Sequence, residues 1–99
     1  MITPDLRMKK LREALDKKGF VRIMEAHNGI SALAAQAATF DSGSEVVEYD
    51  GLWESSLTDS ASKGLPDIEL VGTESRLATI DQILAVTTKP IIVDGDTGR

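Results

Sequence analysis

Two spacings of apolar residues alternate along this 99-residue chain. Leu6, Met8, Leu11 and Leu15 recur at a roughly helical interval, with Lys9, Lys10, Arg12, Glu13, Lys17 and Lys18 on the wet side. Thr3-Pro4-Asp5 ahead of them reads as a helix start: a hydroxyl cap, proline at the first helical position and an acid in the first turn. Gly19 reads as the stop. Phe20 to Ala26 is mostly apolar and predicts a strand, His27-Asn28-Gly29 a turn, and Ser31 to Thr39 an Ala-rich second helix. Asp41 to Asp50 is polar and is expected to be a surface-loop insertion. Gly51 to Glu54 predicts a short strand. Ser55 to Asp67, rich in Ser, Asp and Gly, predicts a loop far longer than the roughly two to six residues of an ordinary βα connection. Thr73 is the expected cap of a third helix carrying Leu77, Ile80, Ile83 and Leu84 on one face. The last element, Pro90 to Val93, contains the β-branched run Ile91-Ile92-Val93, which reads as a strand buried on both faces, as in parallel sheets.

Strands alternating with helices imply parallel crossovers and an α/β fold. Three strands cannot close a barrel, and a (β/α)8 barrel takes about 250 residues. The expectation is therefore about three βα units, the N-terminal portion of such a barrel, with residues 1–99 as one unit.

Composition narrows the partners. Aromatic residues are only 4% of the chain, so the core must come from Leu, Ile, Val and Ala. Net charge is −5 and the basic residues are scattered outside the first helix, where Arg7 to Lys18 reads as a solvated face; nucleic acid is not an expected partner. With no cysteine there is neither a disulfide nor a thiolate metal site. No apolar run approaches membrane-spanning length, and the first eighteen residues are charged rather than apolar, so a cytoplasmic protein is expected.

Candidate chemistry concentrates at the end of the closing strand. Asp94 and Asp96, two residues apart, point the same way out of it, and Gly95 leaves room for close approach. Grouped hard oxygen ligands suit Mg²⁺, with Mn²⁺ as a substitute. In barrels of this kind the C-terminal ends of strands hold the chemistry. An EF-hand loop also begins Asp-x-Asp, but it needs a preceding helix and an oxygen ligand where Gly98 stands. The plainer alternatives are a solvated turn for the two aspartates, a loop acid for Asp67, loop polars for Ser55 and Ser56, and a packed or hydrogen-bonded role for His27, the only histidine. Glu25 reads as a contact to metal-bound water or as an anchor of the turn after the first strand.

Four segments carry a family resemblance: Met24-Glu25-Ala26-His27-Asn28-Gly29-Ile30-Ser31-Ala32, Gly51-Leu52-Trp53-Glu54-Ser55-Ser56-Leu57, Lys63-Gly64-Leu65-Pro66-Asp67 and Asp94-Gly95-Asp96-Thr97-Gly98. In this order they resemble the phosphoenolpyruvate mutase / isocitrate lyase superfamily, and most closely its phosphoenolpyruvate mutase and phosphonopyruvate hydrolase branch. The Gly-Leu-Pro-Asp element and the paired aspartates occur across the superfamily. The Glu-Ala-His-Asn-Gly turn and the Trp-x-Ser-x-Leu segment point to the mutase side.

The resemblance implies a Mg²⁺-dependent enzyme that makes or breaks the C–P bond of phosphonopyruvate, a small-molecule substrate. It makes Asp94 the aspartate nearest the metal and Asp96 the one that holds it through water. Trp53, Ser55, Ser56 and Leu57 match the segment that cradles the substrate carboxylate and phosphonyl group, although the family has glycine where this chain has Ser56. Asp67 matches the aspartate that handles the migrating phosphoryl group or activates water. A homo-oligomer is expected of the full-length protein and no catalysis of these residues alone. The same barrel also supports 2-oxo-acid lyases and hydrolases, and a non-catalytic interaction module is the reading from another class.

Overall fold

Thr3, Pro4 and Gly19 act as their chemistry requires. The Thr3 hydroxyl accepts the Leu6 amide at 3.3 Å, Pro4 opens helix α1 (Pro4–Lys18), and Gly19 closes it in the left-handed region at φ 77°. The structure is a computed structural model and describes residues 2–98. The chain continues through β1 (Ile23–Glu25), α2 (Gly29–Ala37), β2 (Thr39–Asp41), β3 (Val46–Glu48), β4 (Gly51–Glu54), α3 (Ser56–Ser62), α4 (Thr73–Val86) and β5 (Ile91–Val93).

Strands β1, β4 and β5 form a parallel sheet in that order. Its register places Met24, Leu52 and Ile91 in one row and Glu25, Trp53 and Ile92 in the next. Because side chains alternate along a strand, the two rows face opposite ways. The first row packs on the helices: Ala26, Ala32, Ala35, Leu52 and Ile83 make the buried cluster, with Met24 and Ile91 against it. The alanines of α2 let that helix lie close to the sheet. Gly51 begins the central strand where a Cβ would come within 3.0 Å of both Ile23 Cδ1 and the Pro90 carbonyl oxygen. A side chain there requires these neighbours to give by a few tenths of an ångström.

Several expectations are corrected. Within residues 41–50, expected as a surface-loop insertion, the chain is not all loop: β2 and β3 pair antiparallel as a small, mostly exposed hairpin, turned by Ser42, whose amide and hydroxyl both donate to the Glu45 carbonyl. The segment after β4 is not a long loop either. Ser55 caps α3, and its Ser- and Asp-rich turns are fixed by the buried Asp59, bonded to Lys63 and to Thr79 of α4. Helix α4 begins at Thr73 with Gly72, not Thr73, in the capping position. Its buried positions include Thr79 and Ile83, while Leu77 is 54% exposed, so the inward face is rotated from the apolar stripe. Strand β5 is half-buried rather than enclosed, because among the described residues it pairs only with β4.

The basic face of α1 is also not wholly solvated. Arg7 is buried and its guanidinium donates to the carbonyls of Leu84, Thr87 and Lys89 and to the Thr87 hydroxyl. These are the last acceptors of α4 and the loop beyond it, the negative end of the helix dipole. Among the described residues no helix is long and apolar enough to cross a membrane.

Candidate functional site

The C-terminal ends of β1, β4 and β5 lie along one edge of the sheet, and the polar residues collect there. At the end of β5, the Asp94 amide donates to the Glu54 carbonyl at 3.0 Å, continuing the ladder with β4 one step past the strand. One Asp94 carboxylate oxygen accepts both the Ser56 amide (3.2 Å) and the Ser56 hydroxyl (2.7 Å); the other accepts the Asp96 amide (3.0 Å). The Ser56 hydroxyl bond foremost, with the Asp96 amide, holds the Asp94 carboxyl below the usual carboxylate range against the desolvation of the site. Asp94 is thus a fixed anion.

Asp96 occupies the left-handed region at φ 50°, a conformation aspartate tolerates better than most residues. Its carboxylate pairs with Arg76 at 2.7 Å. From the first turns of α4, Arg76 also donates to the buried Glu54 carboxylate (2.6 Å) and to the Asp94 carbonyl, and its Nε lies 3.7 Å from Asp59. Burial opposes the Arg76 charge, but the Glu54 bond and the surrounding acids outweigh it and raise its pKa. Burial pushes the Glu54 carboxyl up, opposed by Arg76 and reinforced by neighbouring Asp59. One oxygen each of Glu54 and Asp59 is buried without a hydrogen-bond partner among the described residues.

Sequence reasoning missed Arg76, Glu54 and Asp59. Glu54 stood out only as an acid closing an apolar strand, and nothing local to Arg76 marks it, since its partners lie about twenty residues away on either side.

The structure distributes the expected site residues unevenly. Asp94, Asp96 and Ser56 meet directly. Ser55 is the cap of α3, its hydroxyl accepting the Thr58 amide, and Leu57 points to solvent at 59% exposure. Trp53 lies on the sheet face away from the helices, beside Glu25 in register. Glu25 in turn holds His27 Nδ1 at 2.5 Å, while the His27 amide donates to Ser31 as part of the capping of α2. Asp67 sits exposed in the turn at residues 67–69. That turn is tied to the β5 end through Glu69, whose carboxylate accepts the Thr97 amide (3.0 Å) and hydroxyl (2.6 Å). Asp67 is therefore carried close in chain to the site without bonding into it.

For a divalent cation, the donors present are the Asp94 and Asp96 carboxylates, both hard oxygen ligands. Among the described residues no group of three or more His, Cys, Asp or Glu side chains is placed to hold a metal. Two carboxylates suit Mg²⁺, which keeps several waters and takes only one or two from the protein.

Comparison with known proteins gives a consistent result. The phosphoenolpyruvate phosphomutase family model matches residues 11–99. The chain is 33% identical over 89 residues to the phosphoenolpyruvate phosphomutase of Tetrahymena pyriformis, covering 90% of this chain and 27% of that protein. It superposes on the crystal structure of a phosphoenolpyruvate phosphomutase from Streptomyces platensis subsp. rosaceus with TM-score 0.77 and 34% identity, over 91% of this chain and 28% of the other. A phosphonopyruvate hydrolase in complex with oxalate and Mg²⁺ superposes with TM-score 0.75 and 28% identity, over 89% and 28%. The chain thus spans little more than a quarter of the length of these relatives. Sequence and backbone agree, and this chain belongs to the phosphoenolpyruvate phosphomutase family.

Proposed function

We propose that these residues supply the metal-proximal part of a Mg²⁺-dependent active site that makes or breaks the C–P bond of phosphonopyruvate. The observation carrying this reading is the Ser56–Asp94–Asp96 arrangement: an ionised carboxylate fixed by three donors, with a second beside it, at the C-terminal edge of a parallel sheet. A relative with 28% identity has been solved with Mg²⁺ and oxalate, a planar dicarboxylate resembling the carboxylate end of the proposed substrate. Asp94 and Asp96 would hold the metal, which would supply charge stabilisation at the oxygens of an anionic substrate.

The protein's own groups divide the remaining work. Trp53, on the open face of the sheet, shapes the floor on which the substrate rests. Ser55 and the N-terminal end of α3 provide donors toward the substrate anion. Ser56 has its donors on Asp94, so in this chain it orients a metal ligand, where the family's glycine offers only a backbone amide. Asp67, exposed and without a hydrogen-bond or ion-pair partner among the described residues, receives the migrating phosphoryl group or takes the proton of an attacking water. Catalysis requires the further elements that make up the rest of the relatives' length, and the complete enzyme is a cytoplasmic homo-oligomer.

The test follows phosphonopyruvate and phosphoenolpyruvate by ³¹P NMR in the full-length protein with Mg²⁺. Asp67→Ala should abolish turnover while leaving Mg²⁺ affinity within about twofold, and retained turnover would remove Asp67 from the mechanism. The 99-residue chain alone should show no turnover and about millimolar Mg²⁺ affinity or none, because two carboxylates give a hydrated Mg²⁺ little reason to shed water. Micromolar affinity would overturn the dependence on further elements.

A further inference from the structure

We infer that Arg76 is a positioning residue: it sets where the Asp94–Asp96 turn points, with buried Glu54 as its anchor. The inference rests on the metal-site reading above for its functional meaning, but its geometry stands independently. One guanidinium reaches four groups from three elements: Glu54 at the end of β4, the Asp94 carbonyl and the Asp96 carboxylate beyond β5, and Asp59 of α3. The Asp94 side chain is turned to Ser56 while its carbonyl is turned to Arg76, so the residue is gripped from both sides. Asp96, in its left-handed conformation, is held by its own amide on Asp94 and by its carboxylate on Arg76.

Stability alone gives a poor account of this cluster. Glu54 and Asp59 are essentially fully buried, each with an oxygen lacking a hydrogen-bond partner among the described residues, and both face one arginine whose side chain is 13% exposed. Buried ion pairs of this kind are often no better than apolar residues of the same volume. What the cluster does, and apolar residues could not, is fix the direction of a backbone carbonyl and a carboxylate at the edge of the sheet. Residues that orient metal ligands from behind commonly change metal affinity by about 10–100-fold when removed.

Charge and position act in opposite directions here, so the sign of the effect discriminates. Removing a positive charge 2.7 Å from Asp96 would by itself tighten the binding of a divalent cation. Loss of positioning would weaken it.

The experiment compares the chain with Arg76→Lys and with the volume-matched double variant Glu54→Met/Arg76→Met. It measures Mn²⁺ binding by water-proton relaxation, thermal midpoint, and deuterium uptake of segment 94–98 by mass spectrometry. In the double variant the midpoint should stay within a few degrees, Mn²⁺ affinity should fall about tenfold or more, and segment 94–98 should exchange severalfold faster. Arg76→Lys, which keeps the charge but cannot reach all the acceptors, should show the same changes in smaller degree. Unchanged exchange at 94–98 in both variants, or tighter Mn²⁺ binding in the double variant, would overturn the inference. If the unsubstituted chain binds no Mn²⁺, the exchange data at 94–98 alone decide whether Arg76 positions the turn.

Discussion

Ser56 and Asp94 face each other across the paired ends of β4 and β5, and both donors of Ser56, the amide at 3.2 Å and the hydroxyl at 2.7 Å, converge on a single Asp94 oxygen. The hydroxyl contact adds to the backbone contact on the same oxygen. Its effect is electrostatic as well as geometric, since two donors on an oxygen favour the ionised acid.

Ser56→Ala should therefore raise the Asp94 pKa toward its ordinary value of 3.8, read by ¹³C NMR titration of the carboxyl carbon. The sign for stability follows. A carboxyl with a lowered folded-state pKa contributes stability that is present above about pH 4 and lost as the pH falls through the folded value. The unsubstituted chain should lose that increment on acidification, and Ser56→Ala should lose less. An unchanged Asp94 titration would show that the Ser56 hydroxyl is not bonded to it in solution.

Gly51→Ala should destabilise the sheet by about 1–3 kcal/mol, because the added methyl meets Ile23 on one side and the Pro90 carbonyl on the other. Urea denaturation provides the measure. The cost should be larger than for Gly72→Ala, where nothing lies within 4 Å of the added methyl. Equal costs at the two glycines would argue against close approach of β1 and β5 around residue 51.

Arg7→Ala should cost about 3 kcal/mol, since it removes a buried guanidinium and leaves several carbonyls at the end of α4 without their donor. Lys10→Ala, whose amine reaches only the Thr88 carbonyl at 3.4 Å on the surface, should cost less than about 0.5 kcal/mol. Thermal unfolding of the two variants would separate a buried anchor from a solvated charge on the same helix.

His27→Asn should change stability by less than about 1 kcal/mol, because its ring contact is with a partly exposed Glu25 and its capping contact uses the backbone amide. Turnover in the assay that tests the proposed function, under the same substitution, then isolates any chemical role of the ring. A stability loss well above that figure would mark His27 as a packing residue.

What was legible in the sequence was what is decided locally. Thr3, Pro4 and Gly19 specify the ends of α1 through bonds to neighbours a turn away, and β-branched Ile91 to Val93 announces a strand whatever surrounds it. The two aspartates beyond β5 were legible as grouped acids following a strand, but their directions were not, since Asp96 lies in a left-handed turn with its carboxylate on Arg76. Helix α3 was not, because a run of Ser, Thr and Asp has weak helix propensity and owes its structure to Asp59 meeting Lys63 and Thr79. The hairpin was hidden for a related reason: three-residue strands with Ser and Gly between them give too short a period to read. Arg76 shows the limit most clearly. Its sequence neighbours are ordinary for an exposed helix, and its role comes entirely from acids brought to it by the folding of β4, α3 and β5.

The anchoring of Arg7 also has a consequence in time. Its acceptors lie 77 to 82 residues further along the chain. Helix α1 is synthesised before α4, so the arginine on its inner face has no acceptor until the end of α4 has been made. Until then burying that face would strand a positive charge. The inner face of α1 is thus closed by residues from the far end of the described chain, and burial of Arg7 waits on the arrival of Thr87 and Lys89.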